Sequence, residues 1–248
     1  MERWHDKVAV VTGASSGIGA AIALELVQQG LQVIGLARRL DKLEAIRNQL
    51  PEEKQSRFTP LTCYVCDAEC VNATYKTIIE KFGGVDVLIN CAGTTAWGQL
   101  LTMEVQELQQ ILQTNVMGIV HCTQKAFQSM RERNVAGHVF VINSVLGHKV
   151  FHNKPLPDLN MYCPSKYAVT AMTEILRQEF RGLDTKIKIT SISPGLVATE
   201  MIPEQLKTAV GDCILEPKDV AAAIMYALST PPHVQVHEII LKPLGEAV

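Results

Sequence analysis

Short, continuous apolar runs alternate along this chain with longer stretches in which apolar residues recur every three or four positions. The runs at 8–11, 33–36, 61–66, 85–89, 139–142, 187–192 and 237–241 are dense and brief, as strands buried on both faces are. Between them, helical spacing covers 17–29, 41–50, 71–82, 103–133, 162–181 and 217–228, with 103–133 in one or two pieces. Gly30 stops the first helix, Pro51 the second, and Gly83-Gly84 the third. Pro164 fits only the first turn of its helix, and Pro217 opens the last. Repeated β-α-β predicts an α/β fold, a parallel sheet with helices on both faces. No repeat, low-complexity tract or linker interrupts 1–248, so a single domain is expected.

Chemistry enters where strands hand over to helices. Tyr162-Cys163-Pro164-Ser165-Lys166 puts a phenol and an ammonium one helical turn apart on one face. A free phenol titrates near ~10, and a neighbouring ammonium favours the phenolate. The pair therefore reads as an acid/base device working near neutral pH, with the Tyr162 pKa expected to be lowered. Thr12-Gly13-Ala14-Ser15-Ser16-Gly17-Ile18-Gly19 follows the first strand and opens the first helix. Such a turn is often only a tight turn, but in this place it also suits a pyrophosphate set on a helix N-terminus. At the end of the second strand, an NAD-preferring protein would carry an acid for the ribose hydroxyl. Here Arg38 and Arg39 stand instead, as surface charges or as a fork for the 2′-phosphate of NADP(H), and the loss of the acid favours the phosphate.

Composition narrows the field further. With 47% apolar residues and a net charge of −2, the chain can build a core and has no basic block for nucleic acid. No apolar run reaches the ~18 residues of a membrane span, and neither end reads as a targeting signal, so a cytoplasmic protein is expected. Seven cysteines with no export signal read as reduced thiols. Cys63, Cys66 and Cys70 have metal-like spacing but no second pair, and His148 and His152 lie in a Pro-rich loop, so no metal is expected.

The ordered set Thr12-Gly13-x3-Gly17-x-Gly19, Asp67, Asn90-x-Ala92-Gly93, Asn115, Ser144, Tyr162-x3-Lys166 and Pro194-Gly195-x3-Thr199 resembles the short-chain dehydrogenase/reductase family over essentially the whole chain. The resemblance implies a Rossmann-type, doubly wound, seven-stranded sheet and hydride transfer at a nicotinamide. By it, Tyr162 is the general acid/base, and Lys166 lowers its pKa and holds the nicotinamide ribose. Ser144 bonds the substrate oxygen, and Asn115 holds a water that links Lys166 to solvent. Gly13, Ser15, Ser16, Gly17, Ile18, Gly19, Arg38 and Arg39 would bind the cofactor, with Glu44, Asp67 and Ala68 at its adenosine end. Asn90, Ala92 and Gly93 would lie along it, and Pro194, Gly195, Leu196, Val197 and Thr199 beside the nicotinamide.

Met1-Glu2-Arg3-Trp4, 35–39 and 167–171 look like a subgroup of that family acting on lipophilic alcohols and carbonyls. A farnesol-type alcohol is the first expectation and a keto-steroid or general carbonyl the second. A non-catalytic NADP(H)-binding redox sensor is a distant third, because it should have lost Tyr162 or Lys166. Trp97, Leu146, Phe151, Leu156, Leu196 and Met201 are apolar candidates for the pocket. Ser144 and Tyr162 are eighteen positions apart, longer than usual in the family, so the 147–160 loop should wall the pocket. The short stretch after Thr199 suggests a relatively open one. The resemblance also implies a homodimer or homotetramer through the outer faces of 103–133 and 162–181.

Overall fold

The computed structural model describes residues 1–150 and 159–245. Seven strands form one parallel sheet: β1 (Val8–Thr12), β2 (Gln32–Ala37), β3 (Phe58–Thr62), β4 (Val87–Asn90), β5 (His138–Ile142), β6 (Lys188–Pro194) and β7 (Glu238–Leu241). Their spatial order is β3-β2-β1-β4-β5-β6-β7. Strand order reverses between β1 and β4, and a crevice opens there beyond the carboxyl ends of the strands, where ligands of such sheets bind.

Between the strands run α1 (Gly17–Gln28), α2 (Leu40–Arg47), the short α3 (Glu52–Gln55), α4 (Ala68–Phe82), α5 (Val105–Leu112), α6 (Gly118–Glu132), α7 (Tyr162–Gly182), α8 (Glu204–Val210) and α9 (Pro217–Ser229). Alternate residues of each strand feed opposite faces. Ala9, Val11, Val33, Ile89 and Ile142 pack with Ile22 and Leu26 of α1, Leu43 of α2 and Ile224 of α9. Val10, Ile34, Leu88, Val139 and Ile189 pack with Tyr75 of α4, Cys122 and Met130 of α6, and Val169 of α7. Both faces of the central strands are therefore buried, which is why they read as unbroken apolar runs. Doubly wound packing of the expected kind is what the chain adopts.

Three elements have bounds that differ from the sequence reading by three residues or more. The third strand covers Phe58–Thr62 rather than 61–66. Pro60 lies within it, because β3 is the sheet's edge and an edge strand tolerates a residue without an N–H. The helix expected over 71–82 starts at Ala68, because the Asp67 carboxylate caps it by accepting from Glu69 N (2.9 Å) and Cys70 N (3.1 Å). The helix expected to reach residue 50 ends at Arg47, and Pro51 instead leads into α3.

At the far end of the sheet, His138 opens β5 with no exposed surface. Its ring stacks on Phe140 at 4.0 Å between centroids, and its Nε2 lies 2.8 Å from Thr190 Oγ1. The Thr190 hydroxyl donates to Val236 O at 2.7 Å, so it must accept from His138. Nε2 therefore carries the proton, and Nδ1 is a buried lone pair without a partner among the described residues.

Candidate active site

A cleft of about 880 Å³ runs along the carboxyl ends of the strands, lined by Arg38 and Arg39 after β2 and by Met201 and Leu206, among others. Its floor is the turn after β1. Gly13 N and Ala14 N are held by Leu36 O at 2.8 and 3.2 Å. Gly13 has φ +69°, and a Cβ there would sit 2.9 Å from Ala92 Cα, so only glycine lets the two loops approach. Thr12 clamps the same junction. Its hydroxyl accepts from Cys91 N and Ala92 N, both at 3.0 Å, and faces Ile89 O at 3.4 Å. The sequence reading quoted Thr12 but gave it no task.

Ser16 precedes α1 and makes no side-chain capping bond. The first-turn N–H groups of α1 are thus left for an anion, in the potential of a helix N-terminus. Ser15, Ser16, Gly17, Ile18 and Gly19 all line this part of the cleft. Free amide donors beside two guanidiniums are the donor set that a dinucleotide carrying an extra phosphate requires.

At the other end, Tyr162 and Lys166 occupy the first two turns of α7, and Ser144 sits at the end of β5. The Tyr162 phenol stands beside the Ser144 hydroxyl, which accepts from Leu146 N at 3.1 Å. Lys166 Nζ lies 5.6 Å from the centroid of the Tyr162 ring and donates to Ile142 O at 2.8 Å. These contacts correct one expectation. The Tyr162 pKa is not lowered. Burial pushes it up to about 12, and the neighbouring Ser144 hydroxyl only partly opposes that. Burial also lowers Lys166 to about 8. The reason is geometric, since the ammonium bonds a backbone carbonyl rather than the phenol, so desolvation dominates both groups.

Asn115 does not line the cleft but stands immediately behind it, 1% exposed. Its Oδ1 accepts from Thr94 N at 2.8 Å, and its Nδ2 donates to Thr94 O at 3.0 Å and Ser165 Oγ at 3.1 Å. Ser165 Oγ donates in turn to Tyr162 O at 2.6 Å. Asn115 therefore ties the loop after β4 to the first turn of α7. Both of its amide protons are used in doing so. It sits in a π-helical turn, Gln113–Met117, which joins α5 to α6. A widened turn of this type is frequent at functional sites.

Ala92, Gly93, Trp97, Ser144, Leu146, Pro194, Gly195, Leu196, Val197, Thr199 and Met201 also line the cleft. Other candidates stand elsewhere. Glu44 is exposed on α2, Asp67 spends its Oδ1 on capping α4, and Ala68 is the first residue of that helix. Asn90 is buried, donating to Thr123 Oγ1 at 3.0 Å. None of these four side chains lines the cleft. Phe151, His152 and Leu156 lie outside the described residues, although Leu159, from the same loop, reaches the cleft wall.

Some of the wall was not foreseen. Cys63, Tyr64, Val65 and Cys66 flank the Arg38 end. Asn143 lines the middle, with Nδ2 on Thr170 Oγ1 at 2.8 Å. The stretch after Thr199, expected to leave the pocket open, folds in part as α8, and Leu206, Ala209 and Val210 cover one side. Only apolar spacing over about two turns could have signalled it, in a segment too short for a firm pattern. Burial raises the Cys91 thiol to about 12, so this cysteine is an inert filler beside Lys166. Among the described residues, no three His, Cys, Asp or Glu side chains converge as a metal ion would need.

Comparison with known proteins points the same way. The family model described as short chain dehydrogenase matches residues 7–209. Farnesol dehydrogenase of Aedes aegypti is 51% identical, over 99% of both chains. Human dehydrogenase/reductase SDR family member 11 is 41% identical, over 98% of this chain and 96% of that protein. Among solved structures, an alcohol dehydrogenase from the archaeon Thermococcus sibiricus, complexed with 5-hydroxy-NADP, superposes with a TM-score of 0.83. It is 27% identical, covering 96% of this chain and 97% of its own.

Proposed function

The chain belongs to the short-chain dehydrogenase family, and we propose that within it the protein interconverts a lipophilic alcohol and its aldehyde or ketone using NADP(H). The observation that carries this reading is one continuous cleft with Arg38 and Arg39 at one end and Ser144, Tyr162 and Lys166 towards the other. A farnesol-type isoprenoid alcohol is the preferred substrate. Support comes from the 51% identical farnesol dehydrogenase and from the apolar Trp97, Leu146, Leu196, Met201 and Leu206 on the wall.

The bound nicotinamide would supply or accept the hydride. The first turn of α1 would take the pyrophosphate, and Arg38 and Arg39 the 2′-phosphate. A carbonyl accepting hydride develops negative charge on oxygen, and the Tyr162 and Ser144 hydroxyls stand together to donate to it. In the opposite direction, Tyr162 takes the alcohol proton through the same contact. Lys166 keeps positive charge beside the phenol ring. Asn115 is a positioning residue, because it reaches Tyr162 only through Ser165 and the loop after β4.

Exposed apolar surface between α6 and α7 suits a second copy of the chain. Val120, Phe127, Met172, Ile175 and Phe180 line a groove there, and Phe127 stacks on Phe180 at 5.2 Å. A homodimer or homotetramer through this face is the proposed assembly. No helix among the described residues is long and apolar enough to cross a membrane, and a cytoplasmic setting is proposed.

The test is an NADP(H) absorbance assay with farnesol oxidation and keto-steroid reduction in parallel, and NAD(H) as the control. Farnesol turnover with NADP, abolished in Tyr162→Phe while the cofactor still binds, is the expected result. Steroid reduction alone would transfer the protein to the carbonyl-reductase reading. Cofactor binding without turnover of either would leave a redox sensor.

A further inference from the structure

Directly after Thr199 on the cleft wall comes Glu200, and its carboxylate reaches back to the start of α2. Lys42 Nζ donates to Glu200 Oε1 at 3.0 Å and to Oε2 at 3.3 Å. Arg39 Nη2 stands 3.7 Å from Oε2. Arg39 is the residue that precedes α2, and Lys42 lies in its first turn. All three side chains keep between 36% and 62% of their surface, so solvent and ligands reach them. Arg38, Arg39 and Glu200 share the cleft wall. This corner is thus a small cationic site with a carboxylate of the chain's own already in it.

We infer that Glu200 is a built-in competitor for the cationic corner, holding the Arg39 and Lys42 donors that a ribose 2′-phosphate would use. Glu200 thereby sets how strongly the protein prefers a phosphorylated dinucleotide to an unphosphorylated one. The inference rests on the NADP(H) reading above. A phosphate monoester carries about −1.5 to −2 charges and three acceptor oxygens at neutral pH. It meets the negative charge of Glu200 within a few ångströms and must compete for the same N–H groups. A plain ribose hydroxyl meets no such repulsion. It can donate to the carboxylate, as it would to the acid that NAD-preferring proteins carry at the end of the second strand. Glu200 comes from a distant part of the chain yet stands beside that position. It therefore handicaps the phosphate and leaves the hydroxyl untouched. By the same geometry, Lys42 is a third cation for the phosphate, one turn beyond the Arg38-Arg39 pair.

Two nucleotide fragments separate these effects without turnover. Adenosine 2′,5′-bisphosphate and adenosine 5′-monophosphate are titrated calorimetrically into the wild type, Glu200→Gln and Lys42→Ala at low salt. Expected is a gain of about threefold to tenfold in bisphosphate affinity for Glu200→Gln, the range for removing one solvent-exposed charge. Monophosphate affinity should change by less than about twofold, and the gain should shrink at about 0.5 M salt. Lys42→Ala should weaken the bisphosphate by a similar factor. If the wild type prefers the bisphosphate but Glu200→Gln binds it no tighter, the competitor role is overturned and the NADP(H) reading stands. If the wild type binds both fragments alike, the NADP(H) reading fails and the competitor role fails with it.

Discussion

Replacing His138 with Phe should flatten the dependence of stability on pH on the acid side of neutrality. The ring is fully buried, donates from Nε2 to Thr190, and has a buried Nδ1 with no partner among the described residues. Protonating Nδ1 would create a buried cation with nothing to accept its N–H. Burial accordingly pushes the His138 pKa down to about 3, with the charges of Lys188 and Arg3 adding to the effect. In the unfolded chain the same imidazole titrates near ~6.5. Below that value the unfolded state takes up a proton that the folded state refuses, so stability falls as pH falls from about 6.5 towards 3. At pH 5 the linkage costs about 2 kcal/mol, against about 0.2 kcal/mol at pH 7. For a chain of this size, that difference lowers Tm by about 4–8 °C. The assay is thermal unfolding followed by circular dichroism, at pH steps from about 7 to 5, on the wild type and His138→Phe. Phe can keep the stack on Phe140 but cannot bind a proton. Any constant loss from the Thr190 contact cancels when slopes are compared. A variant whose Tm falls as steeply as the wild type's would refute the argument.

Thr12→Val should remove the acceptor shared by Cys91 N and Ala92 N, leaving two donors near the cleft floor short of a partner. A loss of about 2–3 kcal/mol in chemical denaturation is expected, with weaker dinucleotide binding, and an unchanged midpoint would show that the clamp is dispensable. Because burial holds the Tyr162 phenol protonated at neutral pH, alcohol oxidation should climb from about pH 7 until Lys166, lowered to about 8, gives up its charge, while carbonyl reduction stays flat below that point. An oxidation rate already level at about pH 7 would contradict that. Ile175→Glu, on the exposed face of α7, should lower the oligomeric mass seen by light scattering and leave the fold intact by circular dichroism.

What could be read from the sequence depended on how local the signal was. The buried strands and the Tyr162–Lys166 pair were legible, because a dense apolar run and a four-residue spacing are complete within a few positions. The start of β3 at Phe58 was not legible, because a strand containing Pro60 is tolerated only at an edge, a property of the whole sheet. The direction of the Tyr162 shift was missed for a related reason. Spacing shows that Lys166 is near, but not that its ammonium bonds Ile142 O and that both groups are desolvated. The Glu200 contact with Lys42 joins residues 158 positions apart and has no local pattern at all.

The π-helical turn at Gln113–Met117 bears on how the helices on either side of it present their apolar residues. Ile111 and Ile119 are both buried and lie eight positions apart. In a regular helix, at about 100° per residue, they would point about 80° away from each other. A turn that absorbs one extra residue brings them back to within about 20°. Ile111 and Ile119 can therefore both face inward because the surplus residue is accommodated locally. Removing Asn115 would leave a regular helix with the same two residues aligned, and the framework should still assemble. What would disappear is the amide that joins Thr94 to Ser165 behind Tyr162. The amide behind Tyr162 thus rests on the one turn between these two helices that departs from regular spacing.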